Sequence, residues 1–141
     1  MALATMSRDL IEQGLGWRYT PSRIAAMLAE PETCTVVACD QSDIGGFAVM
    51  QFGDDHAHLS LLCVQPALQR RAVGRRMIDW LVGSARVAGI SAIRLELRAD
   101  NAGALAFYQA QGFAENGLVP GYYDGRVTAR RMLLRLQATG P

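Results

Sequence analysis

The stretch that most constrains the fold of this chain covers residues 59–80, LSLLCVQPALQRRAVGRRMIDW. It begins as an apolar run typical of a β-strand, and Gln65-Pro66 interrupts that run. After an arginine-rich segment, apolar residues recur at helical spacing, at Met77, Ile78, Leu81, Val82 and Ala85. The stretch therefore predicts a strand, an arginine-rich loop and the start of a helix.

The charges around that helix start are unusual. The first turn of a helix exposes N–H groups without partners and carries about half a positive charge, which disfavours cations. Four arginines nevertheless surround it, namely Arg70, Arg71, Arg75 and Arg76. A solvated basic patch would account for one or two of them. Four, beside the small residues Ala72 and Gly74, indicate that a bound anion, a phosphate or pyrophosphate, completes the site.

Two common phosphate-binding motifs do not fit this loop. A P-loop needs a lysine after its last glycine, and all fourteen basic residues of this chain are arginine. A Rossmann fingerprint needs three glycines in the pattern G-x-G-x-x-G, and this loop keeps one, Gly74. The anion must therefore be held by another kind of loop.

The segment Gln69-Arg70-Arg71-Ala72-Val73-Gly74 resembles the acyl-CoA signature of GNAT superfamily N-acetyltransferases, Gln/Arg-x-x-Gly-x-Gly/Ala. The resemblance implies that the loop, from Arg70 through Arg71, Ala72, Val73 and Gly74 to Arg75, holds the pyrophosphate of coenzyme A. The departure is Ala72, where the family usually has glycine. An alanine N–H still donates, so we expect the site to be retained unless this position needs a positive φ angle.

A second block, LELRADNAGALAFYQAQGF at residues 95–113, is similar to the strand, asparagine, helix and Gly-Phe of the same family. Together the two blocks most resemble the bacterial ribosomal-protein N-terminal alanine acetyltransferases, over residues 44–136. The resemblance implies an α/β (α+β) acyl-CoA N-acyltransferase fold of the GNAT type, with a mixed, mostly antiparallel sheet flanked by helices. It also implies an acetyl-CoA-dependent N-acetyltransferase.

The resemblance also implies roles for particular residues. The strand before the loop carries a bulge and separates from the next strand, and the pantetheine of acetyl-CoA bonds the main chain at Leu62, Cys63 and Val64. Asn101 matches an asparagine that contacts the cofactor, and Tyr108 matches a tyrosine near the thioester sulfur. Glu96 matches the glutamate that serves as general base.

The chemistry gives these residue types an independent reason. Acyl transfer to an amine needs a base that takes the amine proton, and a hydroxyl donor assists the leaving thiolate. Plainer interpretations stay open: Tyr108 as a core aromatic, and Glu96 as an ion-pair partner on its strand. His56 or His58 is the second candidate for the base.

The rest of the chain predicts alternating helices and strands. We expect a helix over 3–14, and a second that begins at Thr20-Pro21, ends before Pro31 and turns Ile24, Met27 and Leu28 to the core. Strands are predicted over 33–39, 44–52, 56–64 and 92–98, and a hairpin over 113–123 and 127–136. Family folds usually begin with a strand, which here is absent or lies upstream of Met1.

Length and composition set the class of protein. The 141 residues, 50% hydrophobic, predict a single soluble domain over 1–141 without a membrane-spanning segment. The cysteines are odd in number and lack metal-ligand spacing: they are Cys34, Cys39 and Cys63. We therefore expect reduced thiols, no bound metal and a cytoplasmic protein. Oligomeric state is not fixed, and a homodimer is left open.

Charge is unevenly distributed along the chain. Residues 1–69 hold three arginines against eight acids, a net −5, and residues 70–141 hold a net +6. An anionic cofactor opposite a cationic amine acceptor suits this division, although the acids could equally serve only to solubilise the surface. A nucleic-acid binder is disfavoured because the aromatics do not interleave with the basic cluster. A non-catalytic CoA-binding module is the alternative to an enzyme.

Overall fold

The fold is seen in a computed structural model, which describes residues 20–40, 43–66, 72–123 and 125–136 together with Leu3. In chain order the elements are α1 (Pro21–Ala29), β1 (Thr33–Asp40), β2 (Asp43–Phe52), β3 (His56–Val64), α2 (Val73–Val87), β4 (Ala92–Arg98), α3 (Ala102–Ala110), β5 (Ala114–Tyr123) and β6 (Val127–Arg135). These bounds confirm the predicted order of elements from Thr20 to Leu136.

The six strands form one mixed sheet in the order β1-β2-β3-β4-β6-β5. Every neighbouring pair is antiparallel except β3 and β4, which run parallel. Parallel neighbours need a crossover, and α2 supplies it. The predicted α/β fold with a mostly antiparallel sheet is thereby confirmed.

The two faces of the sheet carry separate parts of the core. On one face, α2 packs against β2, β3 and β4, through buried residues that include Ile78, Leu81, Met50, Leu59 and Leu95. On the other face, α1 packs against β2 and β3, through Ile24, Met27, Phe47, Leu61 and Cys63. Neighbouring residues of β2 therefore face opposite ways, as strand alternation requires.

The predictions for the first two helices have different outcomes. The helix predicted over 3–14 lies outside the described residues except for Leu3, which is helical and only 8% exposed. In α1 the Thr20 hydroxyl caps the helix by accepting the Arg23 N–H at 3.4 Å, as predicted. Leu28 was expected in the core, and that is wrong: it is 37% exposed, because Ile24 and Met27 fill the single face that α1 turns to the sheet.

Helix length bears on the expectation about membranes. No helix in the described ranges is long and apolar enough to cross a membrane. The longest of them, α2, has 15 residues.

Candidate active site

The sheet opens at the junction of its parallel strands. Three pairs join β3 to β4, and the last of them is His58 with Arg94. Two residues further along β3 the register with β2 shifts, since Leu59 pairs with Met50 and Leu61 pairs with Val49. Ser60 is therefore the extra residue of a β-bulge, which bends a strand and increases its local twist. The bulge and the strand separation expected from the family resemblance are both present.

The part of β3 beyond the bulge runs along the resulting gap. Its residues Leu62, Cys63 and Val64 pair with β2 on one side, while no ladder pair joins them to β4 within the described ranges. The Gln65 N–H donates to the Gly45 carbonyl at 2.7 Å. Because N–H groups alternate between the two edges of a strand, the Leu62 N–H is directed away from β2. This edge suits a ligand that bonds to main-chain groups.

Helix α2 begins where β3 leads into the arginine-rich loop. Residues 69–71, including the predicted contacts Arg70 and Arg71, lie outside the described residues. Ala72 adopts a left-handed conformation, with φ 59° and ψ 21°, and gives α2 no side-chain cap. The position at which the family usually has glycine therefore does take a positive φ in this protein, where it is occupied by alanine. Val73 opens the helix with its first-turn N–H groups, and Arg75 pairs with Asp79 at 3.8 Å.

Gly74 holds the start of α2 close to α3. A Cβ at this position would lie 3.0 Å from the Cζ atom of Phe107 and 3.2 Å from a second atom of that ring. The Phe107 ring in turn lies edge-on to Tyr108, with centroids 5.1 Å apart. Only glycine permits this approach without moving the ring.

Helix α3 contributes two of the predicted site residues. Asn101 caps the helix, its side-chain oxygen accepting the Ala104 N–H at 3.0 Å, so that oxygen already has a partner. Tyr108 is 9% exposed. Burial raises the pKa of the Tyr108 hydroxyl, and the charge that Cys63 would carry as a thiolate raises it further. Tyr108 is therefore a protonated donor at neutral pH, close to the gap-lining strand β3.

Cys63 itself is not poised as a nucleophile. It is 5% exposed, and burial raises the pKa of its thiol to about 12, although a hydrogen bond with the Phe47 backbone acts in the opposite direction. A thiol needs its thiolate form to attack, so Cys63 is inert at neutral pH. All three cysteines are free.

Glu96 lies on β4 at the junction where the strands separate. Its side chain is 7% exposed, and its Oε2 atom is 2.5 Å from Nε2 of His58 on β3. Its Oε1 atom is 3.5 Å from Arg94 and 3.9 Å from Arg131. Burial acts to raise the pKa of Glu96, but the hydrogen bond and charge of His58, with the two guanidinium groups, bring it below the usual carboxyl value. Glu96 is therefore ionised at neutral pH.

The two candidate histidines have different surroundings. His56 has a side chain 53% exposed and pairs with Asp55 at 3.5 Å at the outer end of β3. His58 is 23% exposed, and its second ring nitrogen lies 3.3 Å from the Ser60 hydroxyl. Sequence reasoning named Glu96 and His58 as rival bases and missed that they form one pair. A histidine and a glutamate in consecutive strands are a weak signal, because the parallel pairing of His58 with Arg94, which brings Glu96 within reach of His58, is visible only in the fold.

Two cavities flank this pair. One of about 650 Å³ is lined by Glu96, Asn116 and the arginines Arg94, Arg131 and Arg135. The other, of about 430 Å³, is lined by His58, Gln51 and Asp54. His56 and Arg94 border both. Within the described ranges, no group of three or more His, Cys, Asp or Glu side chains could hold a metal ion.

Comparison with known proteins agrees with this arrangement. Residues 5–113 match the model of the acetyltransferase (GNAT) family. The [ribosomal protein bS18]-alanine N-acetyltransferase of Escherichia coli K12 is 36% identical over 94 residues, which are 64% of this chain and 64% of that protein. The chain thus spans a little under two thirds of that relative's length.

Solved structures extend the likeness to the whole fold. The crystal structure of the ribosomal-protein-S18-alanine N-acetyltransferase from Escherichia coli superposes with a TM-score of 0.83 at 27% identity, covering 99% of this chain and 88% of that one. Ard1 from Thermoplasma volcanium shares the fold, with a TM-score of 0.84 at 24% identity over 95% of this chain and 91% of that one. The match to the family model covers most of the sequence, and the chain belongs to the acetyltransferase (GNAT) family.

Proposed function

We propose that this protein is an acetyl-CoA-dependent N-acetyltransferase, which moves the acetyl group directly to a primary amine. The observation that carries the proposal is the buried, ionised Glu96 at the point where β3 and β4 separate. It provides a proton acceptor at one end of the gap, while the main-chain edge of β3 and the start of α2 provide a place for an extended, anionic cosubstrate.

The reaction assigns each group one task. The amine nitrogen attacks the thioester carbonyl, and its proton goes to Glu96 directly or through a water. Main-chain N–H groups on the bulged strand β3 polarise the carbonyl. The C–S bond breaks, and Tyr108 acts on the acid side by donating a hydrogen bond from its hydroxyl to the leaving thiolate, which needs little assistance because an ordinary thiol has a pKa of about 8.5. The thiolate takes its proton from solvent when it leaves the site.

The proposed cofactor contacts follow the same gap. The pantetheine would bond the main chain at Leu62, Cys63 and Val64, and the pyrophosphate would meet the segment from Arg70 to Arg75. Asn101 would contact the cofactor through the amide nitrogen that its capping role leaves over. The free cysteines fit action in a reducing compartment, and we place the protein in the cytoplasm.

The acceptor is proposed to be a cationic amine, a peptide N-terminus or a small molecule. Supporting this, Glu32, Asp54 and Asp55 are exposed at the end of the sheet where β2 and β3 meet. Asp54 also lines the smaller cavity. The three arginines around the larger cavity work against a cation, so the attraction of a cationic acceptor is assigned to the three acids at the end of the sheet.

Turnover tests the proposal against its alternative, a CoA-binding module without catalysis. The wild-type protein is incubated with acetyl-CoA and a panel of amines, and release of free thiol is followed together with the mass of the acceptor. We expect acetylated acceptor, and a loss of about 10²–10⁴-fold in kcat/KM for the amine in Glu96→Gln. Tight acetyl-CoA binding with no acetylated product from any amine would favour the binding module.

The charge of the acceptor is tested with the same assay at rising ionic strength. If acidic groups attract the acceptor, its KM should increase as salt screens them, while kcat stays constant. A neutral amine of similar size serves as control and should show no change. A flat KM for the best acceptor, or a best acceptor that is anionic, would contradict the cationic assignment and leave acetyl transfer itself standing.

A further inference from the structure

His58 is part of a continuous hydrogen-bonded chain. Its Nε2 atom is 2.5 Å from Oε2 of Glu96, and its Nδ1 atom is 3.3 Å from Oγ of Ser60. The Ser60 hydroxyl donates to Oε1 of Gln51 at 2.9 Å. This series of hydrogen bonds thus runs from β4 to β3 and on to β2, and Ser60 reaches both of its partners from the bulge.

The hydrogens of this chain can be assigned by counting donors. Gln51 Oε1 only accepts, so the Ser60 hydrogen points to it. Ser60 Oγ must then accept from His58, which places a hydrogen on Nδ1 of the imidazole. At 2.5 Å, Nε2 and the carboxylate oxygen cannot face each other with lone pairs alone, so a proton lies between them. The contact between Nε2 and Oε2 therefore needs one proton placed between His58 and Glu96.

A partner that can take over a proton matters for Glu96 because of the positive charges around its carboxylate. Arg94 from β4 and Arg131 from β6 face its other oxygen and make a carboxylate that does not hold a proton firmly. The remaining groups facing His58 are Arg94, His56 and Asp54, which line the same small cavity. An imidazole nitrogen beside the carboxylate can take over a proton that Glu96 accepts, since a ring nitrogen with a lone pair is itself a proton acceptor.

The pair also stands between the two cavities, Glu96 lining the larger and His58 the smaller. We propose that His58 is a proton-transfer partner of Glu96, so that the general base of the proposed acetyl transfer is the His58–Glu96 pair. The inference rests on that proposed function. In the working form the pair lacks the shared proton. The N–H bond of the attacking amine breaks, its proton passes to Glu96 and is shared with Nε2, and it then leaves from the imidazole to water in the smaller cavity.

His58→Gln tests this role, because glutamine can still donate a hydrogen bond to Glu96 but cannot carry a proton. We expect kcat to fall by at least about tenfold, at the low end of what acid–base groups contribute. The acidic limb of the kcat–pH profile should move to lower pH, because only the Glu96 carboxylate, whose pKa lies below the usual carboxyl value, would then accept the proton. Affinity for acetyl-CoA should stay the same, which also reports that the variant is folded.

Arg86→Gln is the control, since it introduces the same glutamine at an exposed position in the last turn of α2 that lines neither cavity, and both of its measurements should match the wild type. A His58→Gln enzyme within threefold of wild-type kcat, or with an unmoved acidic limb, would overturn the proposal. If His58→Gln does not fold, Ser60→Ala decides by the same two measurements, because it removes the acceptor that orients Nδ1. Wild-type turnover is established first, so a failure of the proposed function would be recognised before any variant is compared.

Discussion

The left-handed conformation of Ala72 leads to an unusual prediction, namely that replacing this helix-flanking alanine with glycine should not destabilise the protein. Alanine at φ 59° and ψ 21° costs about 1–2 kcal/mol relative to a right-handed conformation, whereas glycine has no such cost. Glycine also makes the unfolded chain more flexible, which costs about 0.4–1 kcal/mol. Because the Ala72 side chain is exposed, little packing is lost with its methyl group. Ala72→Gly should therefore leave the free energy of unfolding unchanged or raise it, by up to about 1.5 kcal/mol.

Urea unfolding without ligand measures this change, and a thermal melt should show an increase of up to about 5 °C. Ala106→Gly is the control, because Ala106 is exposed at the middle of α3, where glycine costs about 1 kcal/mol. The same substitution thus has opposite expected effects at the two positions. Equal destabilisation by both would show that Ala72 is not held in the left-handed region. Acetyl-CoA affinity of Ala72→Gly should be unchanged or higher, since the first-turn N–H groups keep their positions.

Three further predictions concern the same site, and the first has a control elsewhere in α2. Gly74→Ala should weaken acetyl-CoA binding by calorimetry, and it should be less stabilising than the same change elsewhere in α2, because its Cβ would have to move the Phe107 ring by a few tenths of an ångström. Gly83→Ala, in the same helix with nothing within 4 Å of the new Cβ, should instead be stabilising by up to about 1 kcal/mol. Tyr108→Phe should lower kcat with little effect on the KM for acetyl-CoA, and a loss under threefold would make Tyr108 a packing residue only. Since the folded-state pKa of Glu96 is lowered, its contribution to stability is present above the ordinary carboxyl pKa and is lost in acid, so Glu96→Gln should flatten the acid side of a stability–pH curve.

The strands and α2 could be predicted from the sequence because their signals are local. The alternation of Ile93, Leu95 and Leu97 with charged residues predicted a strand over 92–98, and β4 has those bounds. The period of Met77, Ile78 and Leu81 likewise predicted the buried face of α2. In each case one face of the element is buried along its whole length, so burial repeats with the period of the backbone.

The sequence could not predict features that depend on how elements meet. Leu28 has the spacing of a core residue, yet the face of α1 that meets the sheet is only wide enough for Ile24 and Met27. Nothing local shows that Ala72 needs a positive φ, because alanine is rare there. The partner of Glu96 lies 38 residues earlier in the chain, and the crossover through α2 decides which residue of β3 meets it.

The short pairing of β3 with β4 connects the two halves of the candidate site. Had the strands stayed paired, the main-chain groups of β3 would be bonded to β4, and no edge would face a cosubstrate. Because pairing with β4 stops at His58, the Leu62 N–H beyond the bulge has no ladder partner on β4. Near the point where the pairing ends, Glu96 lines a cavity and lies within reach of His58. One change in strand geometry would therefore create the proposed place for the acyl donor and set the proposed proton acceptor at its end, so substitutions that lengthen the β3–β4 pairing should impair both at once.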